Sequence, residues 1–176
     1  TDPSYAGQIV TLTYPLIGNY GISSEAVESK RIQVSGFIVR EDCELPSHWK
    51  SESTLDQFLN SHSVPGIGGI DTRALTRRLR DNGVMMGIIA LDNPDAALSR
   101  LKKRPVYNAV EFVSTVSTNS SYPWNPSTHS ATNWCEIIAL DYGLKFNILR
   151  ILSDMGCGIT VVPATTPSED ILRLNP

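Results

Sequence analysis

The chain has 176 residues, 41% of them hydrophobic, so it can hold one ordinary domain or two small ones around a core. Its 15 basic and 18 acidic residues are interspersed and leave a formal net charge of −3, which argues against nucleic acid or anionic lipid as a partner. No apolar run approaches the roughly 20 residues of a membrane helix, and the polar start TDPSYAGQ is unlike a signal peptide. Because no initiator methionine is present, we expect the sequence to be a piece of a longer chain.

The three cysteines, Cys43, Cys135 and Cys157, are too few and too scattered for a disulfide framework. A reducing compartment, by default the cytoplasm, is therefore expected. Neither the cysteines nor the three histidines show the paired spacing of metal ligands, so no metal site is expected. None of the thiols has the electropositive setting of a nucleophile, and the sequence favours small buried or incidental thiols.

The N-terminal part begins with a turn, TDPSY, in which the Ser4 hydroxyl can bond a neighbour or a ligand. Alternating β-formers then predict a strand over residues 8–14 that ends at Pro15, and a second strand over 31–39. Between them, the two glycines of residues 18–21 indicate a tight turn.

Two helices are predicted next, separated by a loop over residues 62–69. Ser53 is the expected N-cap of the first, with Asp56 completing a variant capping box. Asp71 or Thr72 is the expected N-cap of the second, which ends at Gly83.

Residues 84–91 then predict a strand, and Asn93 followed by Pro94 predicts the start of a third helix with Leu98 and Leu101 facing inward. From about residue 106 to 133 the composition shifts to Ser, Thr, Asn and Pro, which cannot supply a core. We interpret this segment as a connection between two domains.

Residues 136–164 predict a strand, a helix and a second, parallel strand. The strands are assigned to 137–140 and 159–162. The helix starts at Leu144 and ends at Gly156, which is expected to have positive φ. Its inward face is predicted from the helical spacing of five apolar residues: Leu144, Ile148, Ile151, Leu152 and Met155.

A last helix is predicted after residue 164, with Thr166 as N-cap and Glu169 as its capping-box partner. Two parallel strands and this much helix cannot bury both faces of a doubly wound sheet. The C-terminal half is therefore expected to be unfinished.

Three further stretches could carry chemistry. The glycines of residues 66–69 precede a helix, but no strand precedes them and no lysine stands in the phosphate-loop position, so a turn serving the Asp71 cap is favoured. Residues 141–145 follow a strand, where open α/β sheets bind ligands, and Lys145 could serve an anion there. The arginines of the second helix favour a solvated face or a subunit contact. These patterns alone give no active site.

Three stretches resemble a known family, the carbamoyl phosphate synthetase small subunits. They are TDPSYAGQIVTLTYPLIGNYG, PGIGGIDTRALTRRLRDNGVMMG and IIALDYGLKFNILRILSDMGCGITVVPATTPSEDILRLNP. The third is similar in outline to class I glutamine amidotransferases generally. The resemblance covers nearly the whole chain and is weak only in the Ser-rich connection.

The resemblance implies an α/β fold with three parts. Residues 1–118 would form an N-terminal β/α domain of the small-subunit type, 119–133 a linker, and 134–176 the first βαβ part of a flavodoxin-like class I glutamine amidotransferase domain. Such a subunit hydrolyses L-glutamine with a Cys-His-Glu arrangement. It passes ammonia to a large subunit, which makes carbamoyl phosphate with bicarbonate, ATP and Mg²⁺ for arginine and pyrimidine synthesis.

The departures from the family limit which residues can be assigned. The cysteine elbow, the oxyanion loop and the later His and Glu would all follow the point matching Pro176, and the family's first strands would precede Thr1. No residue of this chain therefore inherits a catalytic role, and the isolated fragment is expected to be inactive. Only Ser4 carries over, as a residue that binds the glutamine substrate.

Two alternatives remain open at this point. The chain could be a non-catalytic module that docks a partner, or the equivalent segment of a multifunctional pyrimidine-synthesis protein in which these domains are fused to the synthetase.

Overall fold

The computed structural model describes residues 1–124 and 135–176 and divides the chain into two compact units. We call Tyr5–Val27 together with Ile32–Val110 the short-strand unit. Thr1–Ser4, Glu28–Arg31 and Glu111–Pro176 form the long-strand unit. Each contains parallel strands joined through helices, so the α/β class expected from the sequence is confirmed.

The strands of the short-strand unit pair over only two or three residues. β1 (Ile9–Thr11), β3 (Gly36–Ile38) and β5 (Gly66–Ile67) form a parallel sheet in the order β1-β3-β5, and β2 (Leu16–Ile17) pairs with β4 (Glu41–Asp42). The predicted strands 8–14 and 31–39 are thus in the right place but too long. The second begins only at Gly36, since residues 32–35 form no strand and Arg31 belongs to the long-strand unit.

Three α-helices follow in the short-strand unit: α1 (Leu55–Ser61), α2 (Thr72–Asn82) and α3 (Pro94–Leu101). Asp71, one of the two predicted candidates, caps α2 and Asn93 caps α3 as predicted, both through their side chains, and Gly83 ends α2 with φ of 78°. The prediction for α1 was wrong by one residue. Thr54, not Ser53, is the N-cap, and Gln57, not Asp56, completes the capping box.

The predicted strand over residues 84–91 is wrong. No strand is present there, and Val84 and Leu91 are 92% and 106% exposed. An apolar run becomes a strand only where another strand can accept its hydrogen bonds, and no described strand pairs with this run. The inward face of α3 was also misassigned in part, because Ala97 is buried whereas Leu98 is 47% exposed.

The core of the short-strand unit is small. Val39, Leu55 and Leu59 are its buried members, and half-buried apolar side chains such as Phe37 and Val64 pack around them. The predicted turn over residues 18–21 is confirmed, because the Gly21 N–H donates to the Gly18 carbonyl oxygen at 2.8 Å and both glycines have positive φ.

The long-strand unit has one three-stranded sheet in the order β6-β8-β7. β7 (Cys135–Asp141) and β8 (Cys157–Pro163) run parallel and pair over all seven residues, and β6 (Tyr122–Trp124) pairs with β8 in the antiparallel sense. The described residues of this unit also form three α-helices: α4 (Val113–Val116), α5 (Phe146–Asp154) and α6 (Ser168–Arg173). The predicted parallel strand–helix–strand segment is therefore confirmed, with both strands longer than expected.

The predicted inward face of α5 is wrong in part. Leu149 is fully buried and Leu152 packs beside it, whereas Ile148, Ile151 and Met155 are 47%, 52% and 59% exposed. The stripe that faces the sheet is formed by Phe146, Leu149 and Leu152, spaced three residues apart, whereas the pattern read from Leu144 selected the neighbouring stripe. Gly156 ends the turn after α5 with φ of 86°, as predicted.

The expected linker and the expected N-cap of α6 also concern this unit. Residues 122–124, expected to be linker, form strand β6, while residues 125–134, which include the rest of that linker and the expected domain start, lie outside the described residues. The division into 1–118, 119–133 and 134–176 stays a prediction. Thr166 does not cap α6, since Pro167 occupies the N-cap position and the Thr166 hydroxyl donates to the Pro163 carbonyl oxygen.

Short 3₁₀ helices occupy Pro3–Tyr5, Ser24–Ala26 and Tyr107–Ala109. Across residues 1–124 and 135–176, every helix is too short or too polar to cross a bilayer.

Candidate functional site

The N-terminal turn that carries Ser4 folds as part of the long-strand unit. Pro3 is buried and starts a 3₁₀ turn, while Ser4 is exposed. The Ser4 N–H donates to Asp2 Oδ1 at 2.9 Å. The Asp2 side chain, 21% exposed, thus holds the backbone of Ser4 in place.

The turn between β7 and α5 is organised by the buried carboxylate of Asp141, which is 8% exposed. Its Oδ1 accepts the N–H groups of Gly143 and Leu144 at 3.0 and 2.8 Å, and its Oδ2 accepts that of Thr118 at 2.7 Å. Gly143 has φ of 99°, a conformation that disfavours any side chain. Charge-assisted hydrogen bonds from three backbone donors make Asp141 a residue that holds the turn in shape.

An ion pair joins these two turns. Lys145 Nζ lies 2.6 Å from Asp2 Oδ2, and Pro3 Cβ would lie 3.2 Å from a Cβ placed on Gly143. Ser4 is therefore at the carboxyl end of β7, the edge at which open α/β sheets bind ligands. Partial burial acts to raise the pKa of Asp2, but hydrogen bonds from Lys145 and Ser4 outweigh it, so this pKa lies below its ordinary value.

The start of helix α5 is already occupied by a carboxylate of the same unit. Glu28 Oε2 accepts the Asn147 N–H at 2.9 Å, and the Glu28 carbonyl oxygen accepts the Phe146 N–H at 3.0 Å. The suggestion that Lys145 serves an external anion at this helix start is therefore not supported, since Glu28 caps the helix and Asp2 pairs with Lys145. Sequence reasoning missed Glu28 because 119 residues separate it from Asn147.

The structure brings together two of the three cysteines. Cys135 and Cys157 are register partners at the first positions of β7 and β8, and their sulfurs lie 3.4 Å apart. Cys157 is 6% exposed and Cys135 is half-buried. The hydrogen bond to the Cys157 thiol, with some burial, raises the pKa of Cys135, the opposite of what a thiolate nucleophile needs.

The other stretches that the sequence suggested as sites form none among the described residues. Gly66 and Ile67 form β5 instead of a phosphate loop, and Gly69 leads into the Asp71 cap as favoured from the sequence. The arginines of α2, Arg73, Arg77, Arg78 and Arg80, are exposed. In residues 1–124 and 135–176, no three His, Cys, Asp or Glu side chains come together as metal ligands would.

The described residues of each unit also line an open cavity. In the short-strand unit, a cavity of about 510 Å³ lies between α1 and the β3–β5 strands, and Asp42 lines it. Asp42 Oδ1 is buried without a hydrogen-bond partner among the described residues, and burial raises the pKa of this carboxyl, with Asp56 and Glu44 adding to the shift. In the long-strand unit, a cavity of about 460 Å³ lies at the carboxyl end of β8 and is lined mainly by short polar side chains such as Ser120 and Thr165.

Comparison with known proteins gives a consistent result for the whole chain. Residues 1–89 match the model of the family described as carbamoyl-phosphate synthase small chain, CPSase domain. Carbamoyl phosphate synthase small chains from Syntrophotalea carbinolica and Clostridium perfringens are each 46% identical to this chain over all of it. The corresponding protein of Pectobacterium atrosepticum is 44% identical, again over the whole chain.

The match covers 50%, 48% and 50% of those three relatives, so the chain spans about half the length of the curated relatives it matches. The resemblance of its three sequence stretches is thereby confirmed at the level of the family. The chain belongs to the carbamoyl-phosphate synthase small-chain family.

Proposed function

We propose that the chain is part of the glutamine-hydrolysing subunit of a carbamoyl phosphate synthetase. Family membership supports this role, and it implies a large subunit as partner. The ammonia released from L-glutamine passes to that large subunit, which binds ATP and Mg²⁺ and makes carbamoyl phosphate from bicarbonate in the cytoplasm. The product serves arginine and pyrimidine biosynthesis.

The domain organisation belongs to the same proposal. Residues 1–118 are assigned to a small-subunit-type β/α domain, and residues 134–176 to the opening of a flavodoxin-like class I amidotransferase domain. The parallel pair β7 and β8 with α5 between them supports the second assignment, because doubly wound sheets are built from such units.

The position of Ser4 carries the proposal at the level of residues. Its turn is tied by the Asp2–Lys145 ion pair to the carboxyl end of β7, and its side chain is exposed there. A hydroxyl at that edge can donate to the carboxylate of a bound amino acid or accept from its ammonium group. We assign Ser4 the role of binding L-glutamine.

The nucleophile is not assigned to Cys43, Cys135 or Cys157. Cys157 is 6% exposed, and the pKa of Cys135 is raised rather than lowered. A thiolate that turns over glutamine rapidly at neutral pH needs an accessible sulfur and a lowered pKa. We expect no release of glutamate from glutamine by this chain alone, and release at the rate of a complete amidotransferase would contradict the assignment.

Steady-state kinetics of the complete protein that carries this sequence, assembled with its large subunit, test the role of Ser4. Ser4→Ala should raise KM for glutamine about five- to tenfold, the loss of one hydrogen bond, and leave ammonia-dependent carbamoyl phosphate synthesis unchanged. Ser168→Ala, at the exposed start of α6, is the matched control. An unchanged KM in Ser4→Ala would remove Ser4 from the substrate site.

The same assay separates the alternatives. A complete protein that binds the large subunit but releases no glutamate from glutamine would be a docking module. A single open reading frame that also encodes the synthetase would identify the multifunctional arrangement.

A further inference from the structure

Cys135 and Cys157 form a pair whose geometry goes beyond core packing. They face each other in register across two parallel strands, and such strands lie about 4.8 Å apart. This spacing is within the range of about 4.4–6.8 Å between Cα atoms that a disulfide tolerates. Their sulfurs, 3.4 Å apart, need to approach by only about 1.3 Å to reach bonding distance.

The two thiols also differ in access. Cys135 is half-buried, whereas Cys157 is 6% exposed and lies within the apolar cluster around Leu149. A reagent therefore meets Cys135 first. The thiol at 3.4 Å is then placed to complete the reaction from inside.

We propose that Cys135 and Cys157 are a reversible disulfide site that is oxidised by small disulfides of the glutathione type. In the first step, the Cys135 thiolate attacks one sulfur of glutathione disulfide and releases one glutathione thiolate. In the second, Cys157 loses its proton and attacks the Cys135 sulfur, releasing the second glutathione. Two protein thiols are oxidised and one glutathione disulfide is reduced to two glutathione molecules.

The rate of the first step has a predictable pH dependence. The hydrogen bond to Cys157 raises the pKa of Cys135, so only a small fraction is thiolate near neutral pH. Oxidation of the folded chain should therefore speed up about tenfold for each unit of pH below that pKa. A pair that only fills the core would form no link at any of these pH values.

Peptide mapping tests the proposal directly, because each cysteine lies on a different tryptic peptide: 41–50, 104–145 and 151–173. The native chain is incubated with glutathione disulfide, its remaining thiols are alkylated, and the digest is analysed by mass spectrometry. The expected product is the linked pair 104–145 with 151–173, with Cys43 alkylated and the link lost on treatment with dithiothreitol. Three alkylated cysteines, or links between chains, would overturn the proposal.

Two variants give the controls. Cys43→Ser should form the link at an unchanged rate. Cys157→Ala should stop the reaction at a stable mixed disulfide between Cys135 and glutathione; if that variant does not fold, Cys135→Ser should leave the buried Cys157 unmodified. A Cys157 that reacts equally fast in Cys135→Ser would show that Cys135 is not the entry point.

Discussion

The two units reach a folded state by different means. In the long-strand unit, β7 and β8 pair over seven residues, and Leu149, Val161 and Val162 are completely or almost completely buried. In the short-strand unit, strands pair over two or three residues, and each buried core residue keeps at least 5% of its surface exposed. Local devices are correspondingly prominent there, including a capping box, two side-chain helix caps and a turn with two positive-φ glycines.

This comparison teaches where each unit is vulnerable. Burying an apolar side chain contributes about 1.5–3 kcal/mol, whereas a helix cap contributes about 1 kcal/mol. Substitutions in the long-strand core should therefore cost more than any single cap in the short-strand unit. Because a chain with two units need not unfold in one step, hydrogen exchange on peptides of each unit is the suitable measurement.

The largest effect is expected for Leu149→Ala. Leu149 is 0% exposed against β8, so its removal should cost about 2–5 kcal/mol through lost burial and the cavity left behind. Hydrogen exchange at the amides of β8 should become faster by the factor that corresponds to this loss of stability. Ile148→Ala, one residue away and 47% exposed, should change the same amides little. Equal effects of the two substitutions would mean that the inward face of α5 is not the one described.

The next largest loss of stability is expected for Gly21→Ala in the short-strand unit. Gly21 has φ of 63°, and an added Cβ would lie 1.9 Å from Ser51 Oγ and 2.9 Å from the Ser53 carbonyl oxygen. Strain at such a site costs about 1–3 kcal/mol. Gly68→Ala is the control, because a Cβ there meets nothing within 4 Å and the backbone is not left-handed. Exchange at the amide of Gly21 itself should report the difference.

A smaller loss is expected for Thr54→Ala. Thr54 Oγ1 accepts the Gln57 N–H at 3.1 Å, and Gln57 Oε1 accepts the Thr54 N–H at 3.0 Å. Losing this cap should cost about 1 kcal/mol, read from exchange in the first turn of α1. Ser53→Ala should cost much less. If Ser53→Ala were the more damaging of the two, the cap predicted from the sequence would be the correct one.

The smallest effect is expected for Asp42→Asn, which should stabilise the protein near neutral pH, whereas the substitutions above destabilise it. Burial raises the pKa of Asp42, so the folded state binds this proton more tightly than the unfolded chain. The contribution of Asp42 to stability therefore falls as pH rises from the ordinary carboxyl pKa through the raised one, and stays lower above it. Asp42→Asn should stabilise the short-strand unit near pH 7 and lose that advantage at about pH 3.

Hydrogen exchange on peptides of the short-strand unit at both pH values, in Asp42→Asn and in the control Glu41→Gln, checks this, since Glu41 is exposed on the same strand. A loss of stability at neutral pH in Asp42→Asn would show that its charge is needed.

Sequence reasoning succeeded for features that depend on neighbouring residues and failed for features that depend on contacts with distant parts of the chain. Asp71, Asn93 and Gly156 were placed correctly, because caps and left-handed turns depend on a few neighbouring residues. The strand expected over residues 84–91 was wrong, because a strand exists only through a partner elsewhere in the chain. The inward face of α5 was missed because the helix carries two apolar stripes side by side, and their spacing alone does not show which one the sheet covers.

At the candidate site, the same limit applies. Ser4 and the turn after β7 were both identified from the sequence, but the Asp2–Lys145 ion pair that joins them was not. The cysteine pair could have been found, since two strands predicted to run parallel place their first residues side by side. Cys135 and Cys157 each precede a predicted strand, 137–140 and 159–162, by two residues, so only the starts of the two strands had to be extended.

Glu28 has a consequence for how the long-strand unit can be obtained and how it folds. Its bonds to the first turn of α5 close a loop of more than 100 residues, a slow and entropically costly event compared with forming the helix itself. We expect α5 to gain its full protection only late in folding. For the same reason, no single cut in the gene can excise this unit with its helix cap, and a piece that starts after residue 134 would begin α5 with unsatisfied N–H groups.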